Sequence, residues 1–158
     1  MLRFLAAFML LTTIATPSFA QCFSRAEASA EQGLRIHSEL MVIGLNCMGI
    51  LRDPALYGKY QSFTRQNHDM IDGWERTMIN YFARSGGSGE TEFHDFRTRM
   101  ANQISSDAAR MRPDVFCHNH VARLNKALGM NSNDLLQWAS TNYSNMPPSR
   151  PLCASAGR

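Results

Sequence analysis

The stretch Leu40-Met41-Val42-Ile43-Gly44-Leu45-Asn46-Cys47-Met48-Gly49-Ile50-Leu51 decides the fold. Wound as a helix it is apolar on nearly every face, with Asn46 the one strongly polar interruption. A helix that is apolar all round belongs inside a protein, packed on several sides. Residues 25–51 are therefore expected to form the first helix, with this second half as the buried centre of a bundle.

Downstream the periodicity stays helical, without a period-2 strand or an internal repeat. Asp53-Pro54 restarts the chain, Asp as N-cap and Pro at the first helical position. Leu56, Tyr60, Phe63, Asn67, Ile71, Trp74, Met78 and Tyr81 recur three or four residues apart, which predicts one long helix to about Arg84, kinked near Gly73. Its other face carries Arg65 with Asp69 and Asp72 with Arg76, pairs worth about 0.3–0.5 kcal/mol each. Ser85-Gly86-Gly87-Ser88-Gly89 is a flexible break, not a phosphate cradle, because no strand precedes it and no Gly-Lys-Ser/Thr closes it. A third helix is expected from Glu90 to Met111, a fourth from Asp114 to Leu128 with Gly129 as its stop, and a short fifth from Asn133 to Asn142. Residues 146–158 hold three prolines and no periodicity, and read as an extended tail. The expected fold is a single all-α domain over residues 21–145, a bundle of four to five helices around a buried first helix, stapled by disulfides.

The first 20 residues stand apart. Arg3 precedes an apolar run from Phe4 to Ile14, too short to span a bilayer but suited to a signal-peptide core. Small residues at Ser18 and Ala20 place the cut after Ala20, and Gln21 before Cys22 argues against a lipoprotein. The mature chain would keep 138 residues with 15 basic and 13 acidic side chains. A charge that small predicts no strong attraction to nucleic acid or to anionic membranes. A mean hydropathy of -0.28 excludes a polytopic membrane protein, and no stable membrane insertion is expected after cleavage.

Four cysteines remain, Cys22, Cys47, Cys117 and Cys153, none in a C-x-x-C pair. That removes thioredoxin-type redox, zinc-ribbon and c-type haem motifs, and an even count in an exported chain reads as two disulfides. Cys47 shares the stripe Ile36, Leu40, Ile43 and Ile50, and Cys117 falls on the inward stripe of the fourth helix. Two inward cysteines on packed helices can bring their Cα atoms to roughly 5.5–6 Å, so Cys47–Cys117 is expected, nested within Cys22–Cys153.

The segment Ser38 to Cys47, the run Tyr60 to Phe63, the stretch Met100-Ala101-Asn102-Gln103-Ile104-Ser105 and the pair Phe116-Cys117 resemble small exported all-helical proteins of alphaproteobacteria. That group has no assigned activity. The resemblance covers most of the mature chain and implies a helical fold and an exported location, with no catalytic residue to carry over.

Each candidate for chemistry has a plainer reading. His94-Asp95 is similar to the His-Asp pair of secreted phospholipases, but Phe93 and Phe96 stand where those enzymes place cysteines, and a solvated pair fits better. Cys117-His118-Asn119-His120 is the densest run of metal-capable side chains. A disulfide at Cys117 removes the thiolate a zinc site needs, leaving His118 and His120 as weak copper or nickel ligands at most. Met41, Met48, Met70, Met78, Met100 and Met111 are assigned to core stripes rather than to haem. Asn46 and Asn67 interrupt apolar stripes, and a buried amide finds backbone carbonyls or another side chain. Asn142-Tyr143-Ser144 matches a glycosylation acceptor, expected bare in a periplasm.

No catalytic set, resident metal or cofactor is therefore assigned. The favoured function is an exported, non-enzymatic binding or interaction protein of the bacterial cell envelope, periplasmic or secreted, facing an envelope protein or small ligand. The alternative is a small secreted hydrolase or metal-binding protein using His94, Asp95, His118 and His120.

Overall fold

The computed structural model describes residues 22–141 and 146–154. The expected signal segment and the Asn142-Tyr143-Ser144 triplet lie outside these residues. Among the described residues six helices follow one another: α1 (Arg25–Ile50), α2 (Ala55–Gln66), α3 (His68–Arg84), α4 (Glu90–Arg110), α5 (Pro113–Leu128) and α6 (Ser132–Thr141). The fold is all-α, and α1 packs against each of the other five. The expectation of a bundle around the first helix is met, with one helix more than anticipated.

The extra helix comes from the segment predicted as one long helix with a kink at Gly73. The break lies at Asn67 instead. Its side-chain Nδ2 donates to the Phe63 carbonyl at 2.9 Å, and its own backbone N–H donates to the same oxygen at 3.1 Å. A side-chain amide drawn back to the preceding turn competes with helix continuation. The backbone bends there to φ -114°, ψ 21°, and the Asn67 carbonyl receives the first N–H bond of α3, from Ile71. Gly73 sits within α3. The buried Asn67 amide thus finds a backbone carbonyl, as its chemistry requires.

Burial along α1 departs in part from what its hydropathy predicts: Leu40, Val42, Ile43 and Cys47 of the apolar half are buried as expected. Leu45, Asn46, Met48 and Ile50, from the apolar half, are exposed, whereas Glu27, Glu31, Gln32, His37, Ser38 and Glu39 are buried. The other helices and the chain's last described segment surround residues 27–44, so the centre of the bundle takes in the polar-bearing half of the helix as well as the start of the apolar half. Asn46 therefore needs no internal partner. Met111 is likewise exposed, so Met48 and Met111 do not occupy the core stripes predicted for them.

α1 begins on a capping box. Ser24 Oγ accepts from the Glu27 N–H, and the Glu27 carboxylate accepts from the Ser24 N–H. Just before it, Phe23 is buried edge-on against Tyr81, ring centroids 4.7 Å apart. Phe23 also forms a parallel bridge with Leu152: its N–H donates to Pro151 O, and Cys153 N–H donates back to Phe23 O, both at 2.8 Å. Residues 146–153 thus lie along the start of α1 as a strap. Both expected disulfides are present, Cys47–Cys117 with Cα atoms 5.3 Å apart and Cys22–Cys153 at 4.9 Å.

Candidate functional site

The buried side chains of Glu27, Glu31, Gln32, His37 and Glu39 on α1 fall into three groups with different partners. Near the start of the helix, Glu27 pairs with Arg84 of α3. Glu31 is wholly buried and is bonded by Arg35 one turn on, at 3.0 Å, and by the strap, where Ser149 gives both its N–H and its hydroxyl. Gln32 donates to the Met146 carbonyl at 2.8 Å. A buried carboxylate demands such donors, since leaving it unpaired costs several kcal/mol, of order 3–5.

His37 forms the second group, where α1 meets α2 and α4. Arg97 Nη2 lies 3.4 Å from Nδ1, and a guanidinium can only donate, so Nδ1 is the accepting nitrogen. Nε2 then carries the hydrogen and faces Thr64 Oγ1 and the Tyr60 hydroxyl, each at 3.1 Å. Thr64 spends its own hydrogen on the Tyr60 carbonyl. Every partner is matched to a neutral ring. Burial, reinforced by the Arg97 charge, lowers the His37 pKa to about 4. Burial also pushes the Tyr60 phenol above its ordinary range, so it stays protonated. Glu75 of α3 holds Arg97 from the far side. This cluster ties four helices together and is closed.

The third group borders open space. Glu39 receives Arg123 Nη2 of α5 at 2.8 Å on Oε2, while Arg123 Nε lies 2.8 Å from Oε1 as an ion contact without hydrogen-bond alignment. His120 Nδ1 lies 3.2 Å from the same Oε1, and its ring stacks on Phe116 with centroids 4.5 Å apart. The carboxylate acts as acceptor, which places a hydrogen on Nδ1. Beside this pair is a cavity of about 120 Å³ between α1, α4 and α5. Ile104, Met111 and Phe116 supply its apolar wall, Arg35, Glu39, Asp107 and His120 its polar positions, and Met146 of the strap one side. A larger but shallow groove of about 530 Å³ runs over Trp138, whose ring carries Arg123 at 5.0 Å and Lys126 at 5.7 Å. Its flat, half-polar floor offers less desolvation to a ligand than the apolar cavity does.

The residues named from sequence do not come together as one constellation. His94 and Asp95 are exposed in the first turns of α4, and His118 is exposed on α5. Among the described residues no group of three or more His, Cys, Asp or Glu side chains has a metal-binding arrangement. His120 alone of the four borders the cavity. Its partners Glu39 and Arg123, and Glu31 and His37, carry no local signature. The spacing of Glu27, Glu31, Arg35 and Glu39 at four-residue steps resembles an ordinary solvated helix face. Compared with known proteins, the chain matches no family model, no curated protein and no solved structure.

Proposed function

We propose that the chain is an exported binding protein of the cell envelope whose cavity between α1, α4 and α5 receives a small apolar group. The observation that carries this reading is the union of an apolar wall, Ile104, Met111 and Phe116, with a polar margin at Arg35, Glu39 and His120. Sites for small ligands combine these two features: apolar area supplies affinity and a few fixed polar groups supply orientation. At about 120 Å³ the cavity suits a single ring or branched aliphatic group; a somewhat larger apolar cavity, of about 150 Å³, admits benzene. Export is supported by the charged and apolar start of the sequence and by two disulfides, which an oxidising compartment maintains. N-terminal sequencing of the exported protein should begin at Gln21, and a chain retaining Met1 or carrying a lipid on Cys22 would refute that part.

The binding reading is tested with benzyl alcohol, which offers a ring to the wall and a hydroxyl to the margin. Titration followed by amide and methyl NMR should give saturable shifts centred on Ile104, Met111, Phe116 and His120. Ile104→Trp, which fills the cavity from α4, should abolish them while helicity is kept. Shifts spread over the surface, or none, would overturn the assignment.

A further inference from the structure

The two disulfides sit in different surroundings. Cys47 and Cys117 are fully buried, whereas Cys22 and Cys153 are half-buried at the edge of the bundle. Thiol exchange needs access of an attacking thiolate to sulfur, so a reductant meets the outer bond first. The two ends of that bond are also held unequally. Cys22 precedes the buried Phe23 and the capping box of α1, both anchored independently of the disulfide. Cys153 ends a strap without helix, held to the bundle by the paired bonds with Phe23, by Ser149 on Glu31 and by the Met146 carbonyl on Gln32. Once the covalent tie is cut, noncovalent contacts, these hydrogen bonds among them, must offset the entropy of ordering residues 146–153.

We propose that Cys22–Cys153 is a thiol-exchange site for a dithiol reductant, and that its reduction unlatches the strap from Glu31 while Cys47–Cys117 keeps the helices assembled. A thiolate of the dithiol attacks one sulfur of the bond, forming a mixed disulfide and releasing the other sulfur as a thiolate. The second thiolate of the reductant then attacks the reductant's own sulfur in the mixed disulfide, breaking that S–S bond, releasing the second cysteine as a thiolate and closing the reductant's intramolecular disulfide. Two electrons and two protons pass from the dithiol to Cys22 and Cys153. The unlatched state bares Glu31, Gln32 and the backbone edge of Phe23 to water. It also removes Met146 from the side of the cavity, a consequence that rests on the binding reading above.

The test treats the folded protein with dithiothreitol under native conditions, traps thiols with N-ethylmaleimide at timed intervals and maps the peptides. Cys22 and Cys153 should label at least tenfold faster than Cys47 and Cys117. In a Cys22→Ser/Cys153→Ser variant, amide exchange at Phe23, at Ser149 and at position 153 should quicken at least tenfold, with Leu40 and Ile43 unchanged. Equal labelling rates, an undisturbed strap, or loss of protection at Leu40 and Ile43 would each overturn the latch. In the same variant the affinity for benzyl alcohol should shift at least threefold. Failure of both forms to bind benzyl alcohol would overturn the binding reading, and labelling and exchange would still decide the latch.

Discussion

At the scale of single residues, His37 makes the clearest commitment. Its pKa is lowered to about 4 by burial and by Arg97, against an ordinary value of 6.5. Above pH ~6.5 the ring is neutral whether the chain is folded or not. Between 6.5 and 4 only the unfolded chain takes up the proton, so stability falls as the pH falls. The loss from this one group reaches roughly 3 kcal/mol by pH 4 and does not grow below that. The surrounding groups do not offset it: Arg97 repels a proton, Glu75 is engaged with Arg97, and Tyr60 remains an uncharged phenol. Urea unfolding at pH 7 and pH 4 measures this. His37→Gln should show a pH-dependent loss smaller by about that amount, and equal losses in the two proteins would remove His37 from the account.

Among elements, the approach of α1 and α3 turns on Gly33. A Cβ there would lie 2.5 Å from the Trp74 indole, so the two helices meet across a bare backbone. Gly33→Ala forces the ring or the helix aside and should cost about 1–3 kcal/mol. Gly73, where sequence periodicity placed a kink, has open space around it within an unbroken helix. Gly73→Ala should therefore stabilise α3 by up to about 1 kcal/mol through helix propensity alone. Thermal melts of both variants discriminate: opposite signs are expected, and a shared sign would mean that one of the two environments is misassigned. The same contrast explains why the kink expected at Gly73 is found at Asn67. Glycine permits a bend, whereas a side-chain amide drawn to the Phe63 carbonyl imposes one.

For the molecule as a whole, the nested disulfides set the hierarchy of stability. Cys47–Cys117 spans a sequence separation of 70 and ties α1 to α5. Loop-closure entropy assigns such a bond about 4 kcal/mol, with engineered cases often smaller. With the inner bond in place the outer one still closes a path of similar length, through residues 22–47 and 117–153, so the two differ chiefly in burial: removing Cys47 also leaves a void and an unpaired Cys117 thiol between packed helices. Cys47→Ala should thus lower the melting temperature more than Cys153→Ala. The strap narrows that difference, because freeing it withdraws the Ser149 donors from Glu31, a cost that tail position alone does not predict. Differential scanning calorimetry of both variants decides the order, and a larger fall for Cys153→Ala would make the strap the principal tie.

The helical class, the central first helix and both cysteine pairings were legible in the amino-acid order, because periodicity, caps and stripes are local properties of a chain. Cys47 and Cys117 could be paired since each lay on an apolar stripe whose direction inward is set by 3.6 residues per turn. The candidate site was not legible in the same way. Glu31, His37 and Glu39 occupy positions that look solvated in one dimension, and only the tertiary structure decided that Ser149, Arg97 and Arg123 arrive from up to 118 residues away to meet them. Hydropathy reports what a side chain would prefer alone. Burial of a charge depends on whether distant donors converge on it, and that convergence exists only once the helices have packed.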